Sequence, residues 1–571
     1  MRSTLILRAR ILCGFFICAA ILLVVRLYFV QIVHGEEYTK DATGQYTEFA
    51  PDTAARGDIY FTTKDGTPVA AAVMQSGWRI AITPKMITDP AQVYTQLNAI
   101  TPIDHQKFVA SAAKTSDPYE EVAFRVDNAA ALKIKALKIP GVLLVQDEWR
   151  NYPAAGLAAQ AIGFVGYKGD TKVGVYGLEK QWNDTLVETS SGLYVNPFAE
   201  IFTNLQDVLS TDPASHEGSI ITSIEPTVQA QLEKTLDDVM RTYTPNLAGG
   251  IIMDPHTGEI VAIGARPSFD PNTYNTVDDP AVFDDPLVEG RYELGSIMKP
   301  LTMATGIDAG AVTEQTTYND TGCIMRSGKK VCNFDFKARG VIPVQEILNQ
   351  SLNVGATYVA ETTGHGVFTS YIKKLGFGEK TGVDLPGEIS GNIAQLGEGN
   401  GPDVNYAAAS FGQGISVTPI EMIRALATLA NGGKLPNPHV VTGIRFDNGV
   451  TRTIPTAPET QVYKQSTTDT LTNMLTTVYD KALLKGAIKL DHYSIAAKTG
   501  TAQIAIPGQG YYTDRYLHSF FGYFPAHDPR FIIFLFAVNP HGQEYASATL
   551  ARPFFGIAQF MINYYDIPPD R

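Results

Sequence analysis

The stretch from Ile11 to Val33 is almost wholly apolar and long enough to cross a bilayer as a helix. Arg26 and Gln31 are its only strongly polar members, and Arg26 lies past the middle, where its head can snorkel toward the far headgroups. Arg2, Arg8 and Arg10 precede the stretch with no acid among them. The positive-inside rule then leaves the short N-terminus in the cytoplasm and puts the bulk of the chain outside. A cleaved signal peptide is the rival reading. Its nearest small-residue site, Cys18-Ala19-Ala20, would leave apolar Ile21–Val25 as the mature end, so an uncleaved signal anchor is expected. No later segment is long enough for a second span, and Phe531–Val538 reads as a buried strand.

Charge narrows the function. The chain carries 45 basic against 58 acidic side chains, a formal charge of −13, where tracking nucleic-acid phosphates requires a basic surface. Of the four cysteines, Cys13 and Cys18 fall in the apolar stretch as packing residues. Cys323 and Cys332 flank Ile324–Val331, whose Ser327-Gly328-Lys329 centre reads as a hairpin turn. The pair suits a disulfide in an oxidising compartment, and suits equally two reduced cysteines on paired strands. No CxxC pair or His-rich spacing marks a metal site.

A chain of 571 residues accommodates two or three domains. From Gly35 to Pro213 the pattern is mixed: Val69–Ile82 and Ile139–Val145 are strand-like, and Asp127–Leu137 and Leu157–Ile162 helical. No nucleophile–base constellation occurs there, so this region reads as a structural spacer or docking module. Near Gly218 the texture changes. Ser219–Ile224 is an expected strand, and Glu225-Pro226-Thr227 opens a helix whose Val228, Leu232 and Leu236 share a face. Gly249–Met253 and Ile260–Gly264 follow as strands around the turn Asp254–Gly258. Strands are expected again at Ser494–Thr501, Phe520–Phe524 and Phe531–Val538, before a closing helix at Phe554–Tyr564. Helices framed by strands at both ends predict an antiparallel sheet with helices on its faces, an α+β fold.

Three short motifs stand in order: Ser296-Ile297-Met298-Lys299, Ser351-Leu352-Asn353 and Lys498-Thr499-Gly500. Each has decoys. Ser-x-x-Lys recurs at Ser111–Lys114, Ser327–Lys330 and Ser370–Lys373, Ser-x-Asn at Ser390–Asn392, and Lys-Thr-Gly at Lys380–Gly382. Context separates them. A serine is inert until a base takes its proton, and residues three apart on a helix share a face, so Ser296 and Lys299 can meet. Gly295 allows a sharp turn before Ser296, and Pro300 is tolerated in the first turn. The apolar neighbours Ile297, Met298, Leu301, Ala304 and Ile307 bury the lysine, whose charged form is thereby disfavoured and which becomes a neutral base. The decoys fall in loops, in the cysteine hairpin or near a helix end. Lys498-Thr499-Gly500 instead ends a strand-like run of small residues, which suits a peptide lying alongside by β-augmentation. There Lys498 and Thr499 would hold a terminal carboxylate, and Gly500 leaves room for backbone approach. Ser351 is placed to pass a proton between Lys299 and a leaving amine, and Asn353 to bind a substrate amide carbonyl.

With these motifs the sequence resembles the penicillin-binding transpeptidase family. RYELGSIMKP (Arg291–Pro300), NQSLNVG (Asn349–Gly355), LGFGEKTGVDLPGE (Leu375–Glu388), SFGQGISVTPIEMIRALATLANGG (Ser410–Gly433), AAKTGTAQ (Ala496–Gln503) and HSFFGYFPAHDPR (His518–Arg530) follow in family order. Upstream, RGDIY (Arg56–Tyr60), RNYPAAGLAAQAIGFVG (Arg150–Gly166) and GVYGLE (Gly174–Glu179) look like the pedestal of class B members. The resemblance implies a cytoplasmic tail and transmembrane anchor at 1–34, an elongated mixed α/β pedestal of dimerisation type at 35–215, and a transpeptidase domain at 216–571. It implies Ser296 as acyl-ester nucleophile, Lys299 as its base, Ser351, Asn353 and Lys498 as further catalytic groups, and Thr499, Gly500 and Thr501 as substrate-binding residues. Backbone N–H groups of Ser296 and Thr501 would form the oxyanion hole, each donor worth about 3 kcal/mol.

Leu294 and Leu352 depart from the family pattern, at positions that supply no catalytic group. The implied activity is peptidoglycan D,D-transpeptidation of D-Ala-D-Ala stem peptides, with β-lactams as stable acylating agents and no metal or cofactor. The implied partners are the cytoplasmic membrane and a polytopic peptidoglycan glycosyltransferase, and a division role is favoured over elongation. Two other readings are a D,D-carboxypeptidase or β-lactamase, against which the pedestal and anchor argue, and a silent scaffold or sensor, against which intact Ser296, Lys299 and Lys498 argue.

Overall fold

The computed structural model of the chain describes residues 56–169, 171–187, 217–446, 448–506 and 508–571. The expected anchor, with Cys13 and Cys18, lies outside these residues, and among those described no helix is long and apolar enough to cross a membrane. The described chain forms two compact units: residues 76–148, and residues 56–75 with 149–187 and 217–571.

In the smaller unit, the second half of strand β1 (Pro68–Ile82) pairs antiparallel with β2 (Glu120–Val126). Helices α1 (Pro90–Asn98), α2 (His105–Ala112) and α3 (Asn128–Leu137) complete it. Asp89, Asp104 and Asp127 start these helices, each side chain accepting a backbone N–H three residues on, which satisfies a donor the helix cannot. Ile80, Ile82, Leu97, Phe108, Val122 and Val126 form its buried core.

The larger unit contains, in chain order, α4 (Pro226–Tyr243), β3 (Leu247–Met253), β4 (Ile260–Arg266), α5 (Lys299–Asp308), β5 (Cys323–Arg326), β6 (Lys329–Cys332), α6 (Asn353–Thr363), α7 (Pro419–Ala427), β7 (Ala496–Ile506), β8 (Gly510–Phe524), β9 (Phe531–Val538) and α8 (Ala551–Tyr564). Five strands make one antiparallel sheet in the order β7-β8-β9-β3-β4, as the framing pattern predicts. Both faces are covered, so β9 reads as the unbroken apolar run FIIFLFAV instead of alternating. On one face Ile252, Phe520 and Ile533 pack with Val228 and Leu232 of α4 and Phe554 and Ile557 of α8. On the other, Ile251, Phe521 and Phe534 join Leu301 of α5 and Ile420 and Ile423 of α7. Each such side chain contributes about 1.5–3 kcal/mol by leaving water. The sheet is therefore a rigid middle layer, and β7 is one of its two end strands.

The cysteine segment forms the expected hairpin β5–β6. Ser327 (φ +46°) and Gly328 (φ +74°) are both left-handed at its turn, as a two-residue hairpin loop requires. Cys323 and Cys332 face each other directly, 4.1 Å apart at Cα, and are disulfide-bonded. This settles the alternative that the sequence leaves open.

Candidate active site

The helix that carries Ser296 begins as a 3₁₀ turn, Gly295–Met298, before continuing as α5. Side chains three apart eclipse in a 3₁₀ turn, which brings Ser296 Oγ to 2.9 Å from Lys299 Nζ. Gly295 makes the entry possible: its φ is +67°, and a Cβ there would lie 2.9 Å from the Thr501 carbonyl oxygen. The turn thus presses directly on β7. Gly500 permits the approach from the other side, because a Cβ on it would collide with the Leu294 carbonyl. That carbonyl accepts a hydrogen bond from Ser519 Oγ, at 2.7 Å, on the neighbouring strand.

Lys299 is 1 % exposed. Its Nζ lies 2.7 Å from the Ser351 carbonyl oxygen, 3.2 Å from Ser351 Oγ and 2.9 Å from Asn353 Oδ1, besides Ser296 Oγ. Burial, reinforced by the charge of Lys498, holds the amine well below the ordinary lysine range. Four oxygens exceed the two N–H donors of a neutral amine. The remaining lone pair is then free to accept the Ser296 hydroxyl proton, which is the arrangement of a serine and its general base.

Ser351 sits at φ +56°, a conformation a serine holds only at a cost of about 1–3 kcal/mol. It turns both the carbonyl and the hydroxyl of Ser351 toward Lys299. Asn353 is the first residue of α6. Its Oδ1 meets Lys299, and its Nδ2 donates to the Cys332 carbonyl at 2.9 Å. Lys498 reaches the same centre from β7, donating to Ser351 Oγ at 3.1 Å and to the Thr499 carbonyl at 3.0 Å. It is 2 % exposed, and burial lowers its pKa to about 7. Ser351 Oγ therefore lies between two buried amines.

Strand alternation divides the third motif. Lys498 and Gly500 stand opposite Phe521 and Ser519 and share the face of α5. Thr499 and Thr501 stand opposite Phe520 and His518, on the face of α8. Thr501 Oγ1 accepts the Ala546 N–H at 3.1 Å. The structure thus unites Ser296, Lys299, Ser351, Asn353 and Lys498 in one network, with Gly500 as the contact point. It sets the hydroxyls of Thr499 and Thr501 on the strand's other side.

The decoys have other engagements. Ser111 and Lys114 both bond Glu120, Lys373 bonds Glu398, and Thr381 bonds Glu388. Ser327 is the hairpin turn itself. Sequence reasoning missed three contributors: the Cys332 carbonyl, Asn333, whose Oδ1 accepts the Val354 N–H at 3.1 Å, and Phe411, whose ring centre is 6.0 Å from Lys299 Nζ. Main-chain acceptors leave no spacing signal. Phe411 does adjoin the glycine-rich Gly412–Gly414 stretch, which marks close packing.

Comparison with known proteins bears on this geometry. Residues 248–557 match the penicillin binding protein transpeptidase domain, and residues 51–197 the penicillin-binding protein dimerisation domain. Stage V sporulation protein D of Bacillus subtilis is 29% identical over 93% of this chain and 81% of its own length. Peptidoglycan D,D-transpeptidase FtsI of Escherichia coli K12 is 26% identical over 99% of this chain and 92% of its own. Among solved structures, penicillin binding protein 2X from Streptococcus thermophilus superposes with a TM-score of 0.71 at 21% identity, covering 90% of this chain and 80% of that one. Penicillin binding protein 3 from Mycobacterium tuberculosis, complexed with aztreonam, gives 0.68 at 22%, covering 91% and 98%. These likenesses extend across both units.

Proposed function

Because the chain belongs to the penicillin-binding protein transpeptidase family, as a class B member and a serine-type peptidoglycan D,D-transpeptidase, we propose that Ser296 is its acyl-ester nucleophile and Lys299 the base that activates it. The observation that carries this reading is the buried Lys299 amine, 2.9 Å from Ser296 Oγ and ringed by oxygen.

In the first step Ser296 Oγ attacks the penultimate D-alanine carbonyl carbon, and the hydroxyl proton passes to Lys299 Nζ. The backbone N–H groups of Ser296 and Thr501 receive the developing oxyanion, a placement supported by the contact of Gly295 with the Thr501 main chain. The C–N bond then breaks, and terminal D-alanine leaves with a proton returned from Lys299 through Ser351 Oγ. In the second step an amine of a neighbouring stem attacks the ester. It yields its proton along the same path, forms the new amide and frees Ser296. Lys498 balances the terminal carboxylate, the main chain of Thr499–Thr501 runs alongside the peptide as an end strand, and Asn353 steadies Lys299 while lying within reach of the substrate amide. A β-lactam follows the first step only, its ring amide opening onto Ser296.

The same reading assigns residues 35–215 to a non-catalytic pedestal, 216–571 to the catalytic domain, and Ile11–Val33 to a single membrane anchor with the catalytic domain outside the cytoplasm. The Cys323–Cys332 disulfide supports an oxidising, extracytoplasmic setting. Septal wall synthesis beside a polytopic glycosyltransferase is the corresponding cellular role. The test is mass spectrometry of the full chain after labelling with a fluorescent penicillin. One adduct on the peptide carrying Ser296 is expected, and none in Ser296→Ala; label that survives the substitution removes Ser296 as nucleophile.

A further inference from the structure

The Asn353 carboxamide serves Lys299 in one orientation only. With Oδ1 toward the amine it accepts a hydrogen bond and leaves the lone pair to Ser296; turned over, it would set N–H against N–H or occupy that lone pair. The two orientations fill the same space, so a second partner must choose between them. That partner is the Cys332 carbonyl, which accepts from Asn353 Nδ2 at 2.9 Å.

The position of this carbonyl depends on β6, four residues paired with β5 in a two-stranded sheet. A lone hairpin is marginal in water. Arg326 of β5 pairs with Glu361 of α6, Val331 of β6 is buried in the core, and two further ties act next to the carbonyl itself. The disulfide bridges Cys323 and Cys332 where the strands oppose each other directly. The next residue, Asn333, caps α6 through the Val354 N–H and donates to the buried Asp320 carboxylate at 2.8 and 3.0 Å.

We propose that the disulfide-closed hairpin β5–β6 is a positioning element of the catalytic centre: it fixes the Asn353 amide through the Cys332 carbonyl, and Asn353 in turn fixes the Lys299 amine against Ser296. This rests on the reading of Lys299 as the base of Ser296.

The test uses the full chain in detergent and a fluorescent penicillin, with rates followed over a concentration series to separate the acylation step from initial binding. In Cys323→Ser/Cys332→Ser the acylation step is expected to slow about tenfold or more, as misplacement by a fraction of an ångström does, while initial binding holds. In an Asn353→Ala background, slower throughout, the same pair of substitutions is expected to change nothing further, because the hairpin acts through Asn353. A wild-type rate in the serine pair, or the same fold-loss in both backgrounds, overturns the proposal.

Should the serine pair not fold, the folded wild type is reduced with dithiothreitol. The dithiol closes to its cyclic disulfide as Cys323 and Cys332 each gain a hydrogen, and alkylation followed by mass spectrometry counts the two freed thiols. A full-speed acylation after complete reduction overturns the proposal as well. Failure of the underlying reading shows separately, as label that survives Ser296→Ala.

Discussion

Substituting Gly500 by alanine tests how tightly β7 and the turn carrying Ser296 are joined. A Cβ at this position would lie 2.2 Å from Ser519 Oγ, 2.6 Å from the Leu294 carbonyl oxygen and 3.1 Å from the Ile297 nitrogen. Side-chain carbons essentially never approach such neighbours within 3.0 Å, so the contact with the carbonyl falls about 0.4 Å short and that with the hydroxyl about 0.8 Å. The hydroxyl can swing aside by giving up its bond to Leu294; the carbonyl belongs to the backbone that leads into Ser296. The relief is therefore a retreat of about 0.4–0.8 Å between β7 and the turn. If about 1 Å of misplacement costs about a hundredfold, this retreat slows acylation about six- to fortyfold, or about 1–2 kcal/mol in the barrier. Acylation by a fluorescent penicillin, with thermal melting as the control for folding, measures it. Gly500→Ala/Ser519→Ala removes the hydroxyl clash and leaves the carbonyl one, so a loss near the lower figure is expected. Wild-type acylation in folded Gly500→Ala would refute the reasoning.

Two further outcomes follow from buried charge. Lys498 has a folded pKa of about 7 against an ordinary 10.5, so between those values the unfolded chain binds a proton the folded chain does not. Stability therefore rises with pH across that window, with buried Lys299 acting in the same direction, and Lys498→Met is expected to flatten the slope of the urea midpoint; an unchanged slope counts against the burial argument. Glu179 is fully buried between Arg56 and Arg150, bonding them at 2.6 and 2.7 Å. Glu179→Ala strands both guanidinium groups and is expected to cost about 3–5 kcal/mol in chemical denaturation, with a loss below about 1 kcal/mol contradicting it.

Much of the centre is legible in the sequence because side-chain chemistry at fixed spacing survives folding. Ser296 and Lys299 are three apart and meet, and the small residues Ala496 and Ala497 precede Lys498 on a strand. The continuous apolar run Phe531–Val538 is a central strand with the expected bounds. Other features depend on main-chain conformation, which spacing does not encode. The left-handed Ser351 and the Cys332 carbonyl are of this kind. The strand expected at Phe520–Phe524 begins at Gly510, because the largely exposed Gly510–Tyr516 mixes tyrosines with polar residues and extends the hairpin with β7 without a continuous apolar run. The 3₁₀ geometry of Gly295–Met298 is likewise hidden, since residues three apart are neighbours in a 3₁₀ turn and in an α-turn alike. Strand alternation, by contrast, was available and places Thr499 opposite Lys498 on the strand, a division the motif as a unit obscures.

β7 stands at one rim of its sheet, with β8 on one side and no further strand of that sheet on the other among the described residues. A guest that docks against a rim is read through its repeating amides, which are alike in every peptide. Main-chain bonds of this kind supply affinity, and selection among guests is left to the pockets beside the strand. For a peptide held this way, exchanging residues in its middle leaves the main-chain contribution in place, and discrimination falls to the groups that meet its end.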